Sequence, residues 1–269
     1  MLPVVQVLGR DIAMYGVFSA IGIFLGIYVA NLRRGIYDIE KIDVQFGACY
    51  AGIGLFIGAK LLYIITILPI IIKSIDRLLK EPHLIISILT GGLVFYGGLI
   101  GAFIGFYLYC KKYKLSLINM IELYVPSIPL IHGFGRIGCF FAGCCYGVEY
   151  SGLLHVIFHK SAVAPNGVPL FPVQLIESLI NFVAFFILMI YGKKKRRNGV
   201  VLGSYLIYYG ILRFILEFFR GDTERGIVLG VSTSQWISLL IVPMAFFLII
   251  NGNKLILHKE VKQTSKINK

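Results

Sequence analysis

Residues 44–72 read VQFGACYAGIGLFIGAKLLYIITILPIII, an almost wholly apolar run from Val44 to Ile72. A helix needs roughly 20 apolar residues to cross a bilayer core. This run exceeds that length, so it tilts in the bilayer or extends beyond it. Six further apolar runs flank it: Ile12–Asn31, Leu84–Cys110, Leu115–Gly133, Pro172–Tyr191, Val200–Phe219 and Ser234–Asn251. Together they predict an all-α integral membrane protein of about seven transmembrane helices. Leu115–Gly133 carries Glu122, Pro126 and Pro129, which predicts a broken helix packed inside the bundle.

The bulk composition agrees. Apolar residues are 58% of the 269-residue chain and charged residues 14%, with a mean hydropathy of +0.84. A soluble domain has roughly 45–50% apolar and about 25% charged residues. One bundle domain over residues 1–251 is expected, with an outer loop region about 134–171 and a basic cytoplasmic tail over 252–269.

A net charge of +13 in a soluble chain would suggest nucleic acid. Here the basic residues collect after alternate spans: Arg33, Arg34 and Lys41; Lys111, Lys112 and Lys114; Lys193 to Arg197; and the tail lysines 254, 259, 262, 266 and 269. Segments 73–81, 133–171 and 220–225 are charge-balanced or sparsely basic. This alternation predicts an outside N-terminus and a cytoplasmic C-terminus, with no nucleic-acid partner.

The five cysteines are odd in number, which argues against a disulfide framework. Vicinal Cys144 and Cys145 lack CxxC spacing and are poorly placed to share a metal. Met1–Gly9 has no basic n-region or small-residue cleavage site, so the first span is read as retained. Gly16, Gly22 and Gly26 in the first span, Gly47 to Gly58 in the second and Gly97 to Gly105 in the third suit close helix packing.

Charged and polar groups at span ends need a partner or a task. The run from His132 to Gly147 carries Arg136 among glycines and is read as a bend that exposes N–H groups. There Arg136 either joins them in an anion seat or snorkels to the interface. Tyr209, Arg213 and Glu217 share one helix face at spacings of four. Arg213 and Glu217 either neutralise one another as an i,i+4 pair or Glu217 aims Arg213 at a phosphate. Tyr96, in the glycine-rich third span, needs a partner at depth. Tyr15, Gln174 and Glu177 fall in the same outer half, where a lone Gln or Glu can also be a plain interface group.

These residues resemble the motifs of the prolipoprotein diacylglyceryl transferase family. Gly135-Arg136-Ile137-Gly138-x-Phe140-Phe141, closing at Gly147, is similar to its signature, and Tyr209-Gly-x-x-Arg213-Phe-x-x-Glu217-Phe-Phe-Arg220 to its second one. Tyr96-Gly97-Gly98-Leu99-Ile100-Gly101, Pro172-x-Gln174-Leu175-x-Glu177 and Tyr15-Gly16 match its remaining motifs in chain order.

The resemblance implies an enzyme of the bacterial plasma membrane with its active site toward the outer leaflet. Such an enzyme transfers the diacylglyceryl group of phosphatidylglycerol to the lipobox cysteine of a prolipoprotein signal peptide, and glycerol phosphate leaves. No cofactor and no metal is implied. Arg136 and Arg213 match the family's essential arginines and would clamp the phosphate. Tyr15, Gly97, Gly98, Cys139, Gly147, Gln174, Glu177, Tyr209, Glu217 and Arg220 fall on substrate-binding positions. Tyr96 stands where the family commonly has the His proposed as base, and an ordinary Tyr pKa of about 10 makes it a poor one. His132, one helical turn before Arg136, is the second candidate. Cys139, Ala142 and Cys144 replace two Asn and one Glu of the signature. Tyr96 and Ala142 keep two rivals open: a lipid-binding or lipid-transporting protein without catalysis, and a paralogous transferase with another acceptor.

Overall fold

A computed structural model describes residues 3–7, 9–74, 81, 83, 86, 88, 91–222 and 226–267, with backbone only at 7, 227, 228 and 253–267. A short hairpin of β1 (Val4–Val7) and β2 (Arg10–Ala13) leads into α1 (Met14–Arg33). There follow α2 (Lys41–Lys73), α3 (Phe95–Lys112), α4 (Leu117–Tyr124), α5 (Ser127–Ala142), α6 (Val173–Tyr191), α7 (Val200–Leu216) and α8 (Thr233–Ile267). Two more antiparallel ribbons, β3 (Val156–Ile157) with β4 (Pro169–Leu170) and β5 (Ile227–Val228) with β6 (Val231–Ser232), lie in the loops.

Among the described residues, five helices are long and apolar enough to span a membrane, and a sixth span arises if α4 and α5 count as one. The protein is therefore a multi-pass membrane protein, mostly helical. The expected count of seven is not reached on these grounds. The third span was expected to be Leu84–Cys110, but the described helix is Phe95–Lys112, eighteen residues that end in Lys111 and Lys112. Residues 84, 85, 87, 89 and 90 of that run lie outside the described residues. Ile12 pairs in β2, so the first helix starts at Met14. The tail past Asn251 continues α8 as helix to Ile267, and its lysine side chains lie outside the described residues.

The fourth span is broken as expected, with a 47° bend between α4 and α5. Pro126 sits at the break, where it offers no N–H to a continuing helix. The helix after the bend does not stop at Gly133. It runs through the glycine-rich segment to Ala142 and ends at Gly143, whose φ of 74° is left-handed. The expected bend with exposed N–H groups is instead regular helix, because backbone groups at membrane depth need internal partners.

The chain divides into two compact units, Met1–Asp38 with Ile121–Lys269, and Ile39–Met120. In the first, α1 packs on α5, α5 on α6 and α7 on α8. Gly22 and Gly26 of α1 admit Phe134 and Ile131 of α5, and Gly133 admits the Phe182 ring. The Ser178 hydroxyl donates to the Gly133 carbonyl at 2.9 Å. Arg33, only 3% exposed, donates from Nε to the Leu123 carbonyl (3.3 Å) and from Nη1 to the Gly192 carbonyl (3.0 Å). Tyr37 donates to Glu122 Oε2 at 3.4 Å, and that carboxylate also faces the first N–H groups of α7, at Val201 and Leu202. A carboxylate there complements the positive end of the helix dipole.

In the second unit, α2 and α3 approach backbone to backbone. A Cβ at Gly54 would strike the Gly101 carbonyl, and one at Gly58 would strike that of Gly97. Their flank forms an apolar groove of about 520 Å³ lined by Tyr50, Ile57, Leu61, Ile100 and Leu108 among others. Lys60, a cation within the span, is satisfied by the Ile88 carbonyl at 2.7 Å and the Gly91 carbonyl at 2.5 Å. Tyr109 donates to Asp43 Oδ1 at 2.7 Å.

Candidate active site

The site is built on α5, α6 and α7 and on the loops that follow α5 and α7. His132, Arg136 and Cys139 project from one side of α5 at spacings of four and three. Facing them, the first turns of α6 carry Gln174 and Glu177, both almost fully buried. Glu177 Oε1 lies 3.0 Å from Arg136 Nε and 3.3 Å from His132 Nε2, and Arg136 Nε also reaches His132 Nε2 at 3.3 Å. Arg136 therefore does not snorkel, and Glu177 is no interface group: the two meet as a buried pair.

Helix α7 brings Tyr209 and Arg213. The Tyr209 ring lies 5.7 Å from the His132 ring and stacks on Tyr205 at 6.0 Å. Arg213 Nη2 pairs with Glu217 Oε2 at 3.0 Å and donates to Ser234 Oγ at 2.9 Å. The i,i+4 pair is thus present, and it does not exhaust the arginine. Arg213 Nη1 is buried without a hydrogen-bond partner among the described residues. A buried donor left unmade is costly, and a bound anion would satisfy it.

Arg220 closes the set. It holds Asp222 with two bonds, at 3.0 and 2.5 Å. Burial pulls its pKa down, and the Asp222 bond more than offsets this, leaving the guanidinium firmly charged. Arg136 and Arg220 both act on the charge of Arg213, as do Glu177 and Glu217. Three guanidinium groups thus share one region, each beside its own carboxylate. The paired carboxylates offset the repulsion among the cations, and the orphan Nη1 gives the cluster an open donor.

The loop after α5 forms the site's edge. Gly147 bridges to Arg220, Val148 N donates to the Phe219 carbonyl (3.0 Å), and Gly221 N to the Tyr146 carbonyl (2.9 Å). A Cβ at Gly147 would collide with the Phe171 carbonyl, so only glycine fits this clasp. Gln174 Nε2 donates to the Cys144 carbonyl at 3.1 Å, while its Oε1 is buried without a partner among the described residues. Tyr15, at the start of α1, backs onto Gly138 and lies within electrostatic reach of Arg136 and Cys139.

The structure thus gathers Arg136, Arg213, His132, Tyr15, Cys139, Gly147, Gln174, Glu177, Tyr209, Glu217 and Arg220 in one unit. Tyr96, Gly97 and Gly98 belong to α3 of the other unit. There Tyr96 is half exposed and meets the Phe95 ring edge-on at 5.7 Å, and Gly97 backs onto Gly58 and Leu62. Ser234 and Asp222, which hold two of the arginines, were missed as site residues. Asp222 stands two residues past Arg220, a spacing that signals a turn-borne pair. Ser234 lies too far along the chain from Arg213 to give any local signal.

The family model described as prolipoprotein diacylglyceryl transferase matches residues 3–251. The chain is 40% identical to the phosphatidylglycerol–prolipoprotein diacylglyceryl transferase of Clostridium tetani over 248 residues, 92% of this chain and 96% of that one. It is 37% identical to transferase 2 of that name from Clostridium perfringens over 95% of this chain and 96% of the other. A transferase of the same name from Finegoldia magna is 31% identical over 96% of this chain and 98% of its own.

Proposed function

The chain belongs to the prolipoprotein diacylglyceryl transferase family, and from that premise we propose that it transfers the diacylglyceryl group of phosphatidylglycerol to the lipobox cysteine thiol of prolipoproteins. Its place is the bacterial plasma membrane, with the arginine cluster toward the outer leaflet, the N-terminus outside and the C-terminus in the cytoplasm. The alternation of basic segments supports that orientation.

The observation that carries the reading is the convergence of Arg136, Arg213 and Arg220, with Arg213 Nη1 left without a partner among the described residues. In the reaction, the substrate thiol's sulfur attacks the glycerol carbon that bears the phosphate ester. A C–S bond forms, the C–O bond to phosphate breaks, and glycerol phosphate departs. Negative charge grows on the leaving phosphate oxygen. Prepositioned guanidinium donors stabilise that charge most where water is excluded.

The thiol proton goes to His132 in this account. An imidazole titrates far nearer neutral pH than a phenol. Glu177, 3.3 Å from His132 Nε2, is placed to stabilise the imidazolium that forms. Tyr209, whose ring lies 5.7 Å from that of His132, holds the lipid head by a hydrogen bond, and Gly147 keeps the loop edge closed beside it. The test is complementation of a bacterium depleted of its own transferase. Growth and lipoprotein maturation restored by the wild-type chain support the reading, and well-expressed protein without maturation overturns it.

A further inference from the structure

Three thiols stand together beside the arginine cluster, and nothing in the proposed transfer uses them as a set. The Sγ atoms of Cys139, Cys144 and Cys145 all lie within 4.8 Å of one another, and all three cysteines are free. Vicinal spacing alone would not predict this. The arrangement comes from the end of α5: Cys139 sits in its last turn, Gly143 turns the chain at φ 74°, and Cys145 adopts a left-handed φ of 55°. A residue with a Cβ rarely holds that conformation without cause. Here it folds Cys144 and Cys145 back toward Cys139, and the Cys144 amide donates to the Cys139 carbonyl at 3.2 Å.

We infer that Cys139, Cys144 and Cys145 form a binding site for one thiophilic metal ion of the zinc class. A metal–sulfur bond of about 2.3 Å in tetrahedral geometry places its sulfur ligands about 3.8 Å apart, within the observed spread after small rotamer adjustment. Soft thiolates select such ions over Mg or Ca. Binding requires the thiols to release their protons to solvent. Arg136 and Arg220 lie within electrostatic reach of Cys145. Three thiolates around a divalent cation carry one net negative charge, which the nearby guanidinium groups balance. Cys144 and Cys145 are partly exposed, giving an ion a way in, and three protein ligands leave one coordination position open.

The inference stands apart from the transfer reaction and is tested apart from it. The full chain, purified in detergent with reductant and stripped of metal by a chelator, is titrated with Co(II) and then Zn(II). One equivalent of Co(II) should produce thiolate-to-cobalt absorption with tetrahedral ligand-field bands, and Zn(II) should bleach both. Cys144→Ser and Cys145→Ser should each abolish the signal. The double variant Cys49→Ser, Cys110→Ser, which alters the cysteines outside the cluster, should keep it. A helical, monodisperse wild-type protein that yields no cobalt–thiolate absorption overturns the inference. So does equal binding by the cluster variants, or recovery of two of the three thiols as an intramolecular disulfide from cells lysed without reductant.

Discussion

Glu177 Oε1 lies 3.0 Å from Arg136 Nε, so a carboxylate 2% exposed at the start of α6 fixes a guanidinium on the last turns of α5. The same oxygen lies 3.3 Å from His132 Nε2, and one buried acid therefore orients the proposed clamp and the proposed base together. This pair makes α5 and α6 a single unit of the site rather than two neighbouring helices.

Removing one partner of that pair strands the other charge. Glu177→Ala should destabilise the protein by about 3–5 kcal/mol, the usual cost of an uncompensated buried charge. The double variant Arg136→Leu, Glu177→Leu should be more stable than Glu177→Ala, though inactive. Thermal unfolding in detergent, followed by helical circular dichroism, checks the order of the three proteins.

Ser234 Oγ accepts a hydrogen bond from Arg213 Nη2 at 2.9 Å, so its loss should reach the reaction through Arg213. Ser234→Ala loses one hydrogen bond of roughly 1–1.5 kcal/mol and should lower kcat about fivefold to tenfold with KM little changed. Arg213→Lys should lose roughly 100-fold or more in kcat, because a point charge cannot hold Glu217, Ser234 and a phosphate oxygen at once. Steady-state transfer to a lipobox peptide separates the two effects.

If His132 takes the thiol proton, His132→Gln should cost roughly 10²–10⁴ in kcat. Tyr96→Phe should cost less than about tenfold. The reverse ranking of the two variants would move the base to Tyr96.

The close approach of α2 and α3 makes its own prediction. A side chain at Gly101 meets the Gly54 carbonyl, backbone against backbone, so neither side has a rotamer to yield. Gly101→Val should destabilise the protein by about 1–3 kcal/mol. Gly52→Val, at a glycine with open space around it, should cost less. Melting temperatures in the same detergent test the pair.

Much of this was legible in the amino-acid order, for physical reasons. Apolar runs such as Val44–Ile72 announce a membrane helix because length and composition decide it. Arg213 and Glu217 sit four apart, so helix geometry alone brings them together, and 3.0 Å separates them. The partner of Arg136 was not legible. Glu177 lies on another helix, and only the packing of α5 on α6 brings it near. The glycines from Gly133 to Gly138 read as a bend because glycine breaks helices in water. Within the bundle they instead let Phe182 and Tyr15 pack close while the helical hydrogen bonds persist. The cysteine cluster was hidden for a similar reason. Vicinal thiols point apart in regular structure, and the left-handed residue at Cys145 reverses that. Within the expected third span, residues 91–94 are not helical and the described helix begins at Phe95, a break that apolar composition does not mark.

In the proposed reaction the arginine cluster holds the phosphate while a peptide thiol displaces it. Purified wild-type and Arg213→Ala protein in phosphatidylglycerol vesicles, given a synthetic lipobox peptide, put this to the test. Mass spectrometry follows the peptide, and released glycerol phosphate is assayed alongside. The wild type should give a diacylglyceryl mass on the cysteine and an equal amount of glycerol phosphate, and folded Arg213→Ala neither. Unmodified peptide with the wild type, or equal modification by the variant, would rule out phosphate clamping by Arg213 in this reaction.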